Sequence, residues 1–300
     1  MQILHDTNVN FVGVRRWFFI ASGILALLAI VAIAVRGFNW GVDFTGGSLL
    51  HVRFSQPIST EAVRGALTAV GEGEAVVQRD EHGDFFIRAK VKESAGGQSF
   101  SSALTRQLKA SFPNNSFEIL SDDTVGPQVS SELRGKVLLA VLLGLVGIMI
   151  YVSFRFDFRF GTGAVLSLIH DTLIVVGAIA LFGREMNMTV IAAVLTMIGY
   201  SVNDSIVVSD RIREDVRKMR KESFSYVANH AINKTLSRTI ITSLTVLFVS
   251  LALLIFGSAT IKDFAFAMTL GTITGTYSSV FVVANLVVEW ENWSPSKRRR

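Results

Sequence analysis

The chain has no cysteine among its 300 residues, only four prolines and four tyrosines, and only 18% charged residues. Without a thiol there is no thiolate nucleophile, no iron–sulfur cluster, no Cys-based zinc site and no disulfide. The scarcity of proline leaves the apolar residues in long helix-compatible runs rather than in short strands broken by turns. Charge is scarce as well: soluble chains devote about a quarter of their residues to it, so an ordinary soluble enzyme is disfavoured. What the chain does have is apolar mass, 50% of residues with 22 phenylalanines, at a mean hydropathy of +0.46. Its net charge of +5 fits nucleic acid, anionic lipid or the loop bias of a membrane protein, and the placement of the charge decides among them.

A helix that crosses the hydrocarbon core needs about 20 mostly apolar residues. Six runs qualify: 17–35, 137–154, 162–182, 188–209, 239–256 and 264–288. Arg15-Arg16 and Ala32-Ile33-Ala34 mimic a secretory signal, but the first run is longer than a usual signal core and five more follow, so a retained anchor is expected. With the N terminus inside, the short inner segments, including the loop 210–237 and the tail 289–300, hold fifteen Lys or Arg. The two short outer loops hold only Arg184 and Lys262. This asymmetry puts both termini in the cytoplasm. The basic excess is therefore mostly topology and weighs against nucleic acid. The charged stretch Arg211–Lys221 reads as an anchor on anionic headgroups.

Residues 36–136 form the one stretch long enough for a folded domain outside the membrane. Ser48–Phe54, Ala75–Arg79, Phe85–Val91 and Phe117–Leu120 read as strands. Helices are predicted from Ser59 or Thr60 to Val70 and from Gln98 to Phe112. Strand, helix, strand, strand, helix, strand is the ferredoxin-like α+β order. His51 and His82 read as isolated surface or turn residues, and no metal cluster or nucleophile–base pair is expected. Small residues recur every four positions at Gly271, Gly275 and Ser279 and at Ala140 and Gly144, a pattern of tight helix contacts; a kink at Gly199 is allowed.

Ionisable groups at membrane depth are costly and mark function by default. His170-Asp171 falls near the middle of the third run, Asn203-Asp204 toward the inner end of the fourth, and Arg238 opens the fifth, followed at helical spacing by Thr242 and Thr245. A buried carboxyl avoids an unpaired charge by meeting a cation or by taking up a proton. Both routes are open to Asp204, because Arg238 lies toward the same side on the next span. Exchange between an Arg238-paired anion and a protonated acid is what a proton pathway needs, and His170-Asp171 would extend a relay. The alternative is a fixed pair that only positions the helices.

The string Arg36-Gly-Phe-Asn-Trp40-Gly41-Val-Asp43-Phe44-Thr45-Gly46-Gly47-Ser48 resembles the signature of the SecF family, which provides the smaller half of the bacterial SecDF accessory complex. Similar strings are Val125-Gly126-Pro127-Gln-Val129, Tyr151-Val-Ser-Phe-Arg155-Phe, Gly199-Tyr-Ser-Val-Asn203-Asp204-Ser205 and Thr235-Leu-Ser-Arg238-Thr239. The resemblance runs from about Val14 to Asn292. It implies a six-span, polytopic α-helical protein of the resistance-nodulation-division type in the inner membrane, with a periplasmic domain between the first two spans and neither enzymatic activity nor a cofactor. It also implies proton-driven assistance of polypeptide export. The implied partners are SecD, the SecYEG translocon, YajC, YidC, translocating polypeptide and membrane lipid. The family's membrane-embedded acid falls on Asp204 and its essential arginine on Arg238. The rival readings are a small-molecule exporter of the same superfamily and a non-transporting assembly subunit.

Overall fold

The computed structural model describes residues 7–69, 71–73, 75–80, 83–89, 100–156 and 158–295. His82, the start of the predicted helix at Gln98 and the basic tail from Lys297 to Arg300 lie outside them. The chain divides into two compact units, Trp40–Leu138 and the remainder.

The smaller unit contains α2 (Val42–Thr45), β1 (Gly47–Phe54), α3 (Thr60–Ala69), β2 (Val76–Arg79), β3 (Phe85–Ala89), α4 (Phe100–Ser111) and β4 (Phe117–Val125). The antiparallel sheet runs β2-β3-β1-β4, the ferredoxin-like arrangement. Alternation puts Leu50 and Val52 of β1 and Phe85, Ile87 and Ala89 of β3 on one face, where Val63, Ala66, Leu67, Leu104 and Leu108 from the two helices cover them. The Ser59 hydroxyl accepts from the Ala62 amide and so caps α3. β4 runs five residues beyond its expected end, through Asp122-Asp123. The pairing with β1 supplies backbone partners that outweigh the poor strand preference of aspartate.

The Gly-Gly motif has a defined geometry here. Gly41 opens the single turn α2, Thr45 Oγ1 donates to the Gly41 carbonyl, and Gly46 ends the turn at φ 71°. Gly47 follows at φ 142°, and a Cβ there would come 2.6 Å from the Ala89 carbonyl oxygen. Only glycine suits both the backbone angle and that close approach. Phe44 is buried, its carbonyl accepts from the Arg134 guanidinium, and its ring meets Trp40 edge-on.

The other helices are α1 (Arg15–Arg36), α5 (Pro127–Arg155), α6 (Phe158–Leu181), α7 (Met188–Lys218), α8 (Phe224–Phe256), α9 (Ala259–Ser278) and α10 (Ala284–Trp293), the last two joined by a π turn at Ser279–Val283. Among the described residues there are six helical segments long and apolar enough to span a membrane. Exposed Leu, Ile and Phe on α1, α5 and α8 are what lipid, and not water, would face.

Several expectations change. The connection 210–237 is mostly helix, because the charged ends of α7 and α8 are held by ion pairs one turn apart and by His230, whose ring lies 2.9 Å from Asp215. Gly271 and Gly275 do mediate close packing, against Met197 and Ser201 of α7. At Gly144 of α5 nothing lies within 4 Å of where a Cβ would stand, so that glycine packs against no other helix among the described residues. α7 runs unbroken through Gly199.

Candidate functional site

α7 begins at Asn187, whose side-chain oxygen accepts from the Val190 amide. Its buried face runs through Val194, Met197, Ser201, Asp204, Ser205 and Val208 at helical spacing. Asp204 is therefore carried inward and is 1% exposed, with Oδ2 lacking a hydrogen-bond partner among the described residues. Asn203, about 100° further round the helix, lies on the exposed face. The sequence pattern could not separate these neighbours.

On α8 the buried face passes through Thr235, Thr239 and Ser243, which turns Arg238 outward. Arg238 bears electrostatically on Asp204, but among the described residues no ion pair joins them, contrary to the direct contact that the sequence allows. Thr242, the other α8 residue that bears on Asp204, donates its single hydroxyl proton to the carbonyls of Arg238 and Thr239. A rotation of that hydroxyl would be needed to meet the carboxyl.

Two hydroxyl networks flank Asp204. On one side Tyr200 donates to Ser243 Oγ at 2.9 Å, and Thr276 donates to the same oxygen at 2.7 Å, tying α7, α8 and α9. On the other, Asp171 is fully buried; its Oδ2 accepts from Ser201 at 2.8 Å and from Ser278 at 2.6 Å, and its Oδ1 lies 3.0 Å from His170 Nδ1. The His170 ring faces Tyr277, whose hydroxyl reaches the Phe18 carbonyl and Ser22 of α1. Ser201, which donates to Asp171, thus stands one turn before Asp204 on the buried face of α7. Sequence reasoning passed over Ser201, Ser243, Thr276 and Ser278. The signal was present in the hydroxyls that recur every four residues at Ser201, Ser205 and Ser209.

In the smaller unit His51 is not isolated. It is 5% exposed and stacks on Phe86, with Nε2 3.3 Å from Asp84 Oδ2. Pairing across β1 and β3 places Phe86 opposite His51, and the turn back to Asp84 brings in the carboxylate. His51, Asp80 and Asp84 could offer donor atoms to one metal ion. Arg53, however, binds both Asp84 oxygens, at 2.9 and 2.7 Å, so the group reads as an ion-paired turn.

The Arg53 guanidinium holds the Asp84 carboxyl below the usual carboxylate range. The folded value lies below the unfolded one, so the pair's contribution to stability is full above about pH 4 and is lost as pH falls through the folded value. Amide protection along β3 should therefore weaken under acid, and Asp84→Asn should remove that dependence. Hydrogen exchange corrected for intrinsic rates measures both, and unchanged protection in acid would contradict the assignment.

Comparison with known proteins follows this geometry. The family described as protein export membrane protein SecD/SecF, C-terminal, matches residues 104–293, and the SecD/SecF GG motif matches residues 31–58. The chain is 39% identical over 288 residues to the protein translocase subunit SecF of Calditerrivibrio nitroreducens, covering 95% of each chain. It is 40% identical over 291 residues to that of Helicobacter pylori, covering 96% of this chain and 89% of the relative. It also resembles the crystal structure of SecDF, a translocon-associated membrane protein from Thermus thermophilus, at a TM-score of 0.85 and 41% identity. That match covers 96% of this chain and 39% of the longer one.

Proposed function

The chain belongs to the SecD/SecF family of protein export membrane proteins, and on that premise we propose that it assists Sec-dependent export by exchanging a proton at Asp204. Its place is the bacterial inner membrane, as a multi-pass protein. Both termini and the charged ends of α7 and α8 face the cytoplasm, where fifteen Lys and Arg would lie. Residues 36–136 form the domain on the periplasmic side. SecD is the partner, since a relative named SecDF contains this chain's equivalent as 39% of its length. SecYEG, YajC, YidC and the translocating polypeptide are further partners on this reading.

The observation that carries it is a carboxyl 1% exposed in a spanning helix, with one oxygen unmet and an arginine nearby but not bound. A permanent structural pair would be closed; this one is open and can exist in two arrangements. A proton drives work only if those arrangements bind it differently. Anionic Asp204 draws Arg238 inward, and protonated Asp204 releases it, so that the helices repack. Asn203 and Arg238, polar and exposed on adjoining helices, fit a face covered by SecD rather than by lipid. His170, Asp171 and Ser201, hydrogen-bonded to one another one turn from Asp204, are the onward route on this reading.

Reconstituted export separates this from the rivals. Asp204→Asn should still co-purify with SecD yet fail to stimulate export. Full stimulation by the variant would favour a non-transporting assembly subunit, and activity of the chain without SecD would favour a solitary exporter.

A further inference from the structure

Past Asp204, toward the charged end of α7, the buried face carries Val208 and Ile212 before the next buried ionisable group, Asp215, which Arg211 and His230 engage. Phe11 and Val12, just ahead of α1, are buried in one apolar cluster with Val208 and Ile212, with Ala228 and Ile232 of α8 and with Ala284 and Val288 of α10. The Phe11 ring also meets Phe281 of the π turn edge-on. We propose that residues 7–13 form a strap that closes the proton route between Asp204 and the cytoplasm and lifts to let the proton pass. This inference rests on proton exchange at Asp204. An apolar layer stops a proton, which moves along water and hydrogen-bonding groups. The hydroxyls of Ser205, Ser209 and Thr235 donate back to carbonyls of their own helices, so they carry no hydrogen-bonded path across the layer.

The strap is held in a way that suits release. Asn229 and Asn233 stand one turn apart on α8, and their side-chain amides bind its backbone. Asn233 donates to the Val9 carbonyl and accepts from the Val9 amide, both at 2.9 Å. Asn229 donates to the same carbonyl at 3.0 Å and accepts from the Val12 amide at 3.2 Å. Arg15, opening α1, donates to the Val12 carbonyl and pairs with Glu289 of α10. A tight turn, in which the Gly13 amide donates to the Asn10 side chain, separates the strap from α1. Phe11 and Val12 are the only buried side chains of residues 7–13, and Val9 and Asn10 are exposed. Water therefore competes for the latch, and opening removes few apolar contacts.

The chain has no cysteine, so a thiol pair introduced into it is its only one. Val9→Cys/Asn233→Cys, reconstituted with SecD in sealed vesicles and bridged by a reducible dithiol-specific reagent, ties the strap down. Proton flux should fall to that of empty vesicles on bridging and return when the bridge is reduced, and either single substitution should keep its flux through the same treatment. Recovery in one sample excludes misfolding. Flux unchanged by a bridge confirmed in the peptide masses would overturn the strap. Asp204→Asn is measured alongside without a bridge. Flux lost there but unchanged in the bridged protein rejects the strap alone, and flux retained there rejects the role of Asp204. A second measurement needs no flux. Val12→Cys, labelled from the cytoplasmic side by a membrane-impermeant maleimide, should react about fivefold faster or more in the Asn229→Ala/Asn233→Ala background. Equal rates in the two backgrounds would overturn the latch and the strap with it.

Discussion

Asp204→Asn is expected to abolish the stimulation of export, reducing it to the level of membranes that lack the chain. Asn keeps the size and shape of the acid but cannot take up or release a proton. The buried site would then hold one permanent neutral group with no differential affinity for the proton in either arrangement. A ligand with no such difference shifts no equilibrium, however large the proton-motive force. Folding should survive, because burying a neutral amide costs less than burying an unpaired carboxylate. The variant should therefore be recovered in normal amount with SecD. Asp204→Glu, which keeps the proton but moves it by one methylene, should retain part of the activity. Equal activity of all three proteins would remove Asp204 from the mechanism.

The second large effect is steric. At Gly177 of α6 a Cβ would stand 2.4 Å from the Ala29 Cβ and 2.6 Å from the Ala29 Cα of α1. The obstacle includes backbone, so no rotamer change relieves it and the two helices must separate. Gly177→Leu should destabilise the protein by at least the roughly 1–3 kcal/mol typical of overpacking, and should lower the recovered folded fraction. Gly144→Leu is the matched control. Nothing lies within 4 Å of that position, and leucine is the better helix former. Thermal unfolding in one detergent compares them, and equal stability of the two variants would contradict the packing of α1 on α6.

Much of this architecture was legible in the sequence because a membrane span is a composition as well as a pattern. Six long apolar runs correspond to six helical spans, and alternation with turn residues marked the strands of the ferredoxin-like sheet. The discrepancies have physical causes. Apolar length says where a helix can cross the membrane but not where it stops, so α8 begins at Phe224, well before its apolar stretch. Small-residue spacing says that close contact is possible without naming a partner; it was filled at Gly271 and Gly275 and unfilled at Gly144. Asp204 was legible as a costly buried acid. Its separation from Arg238 was not, since a few tens of degrees of rotation about α8 decide between an inward and an outward arginine. The contact between His51 and Asp84 depends on strand register, which side-chain type alone does not reveal.

Proton entry into sealed vesicles containing this chain and SecD tests the central claim most directly. Under an imposed pH gradient, internal pH is followed with a trapped dye for the wild type and for Asp204→Asn at equal protein density. The account predicts a flux above that of empty vesicles for the wild type and none above it for the variant. Equal flux through the two proteins would show that protons cross without Asp204 and would contradict the account.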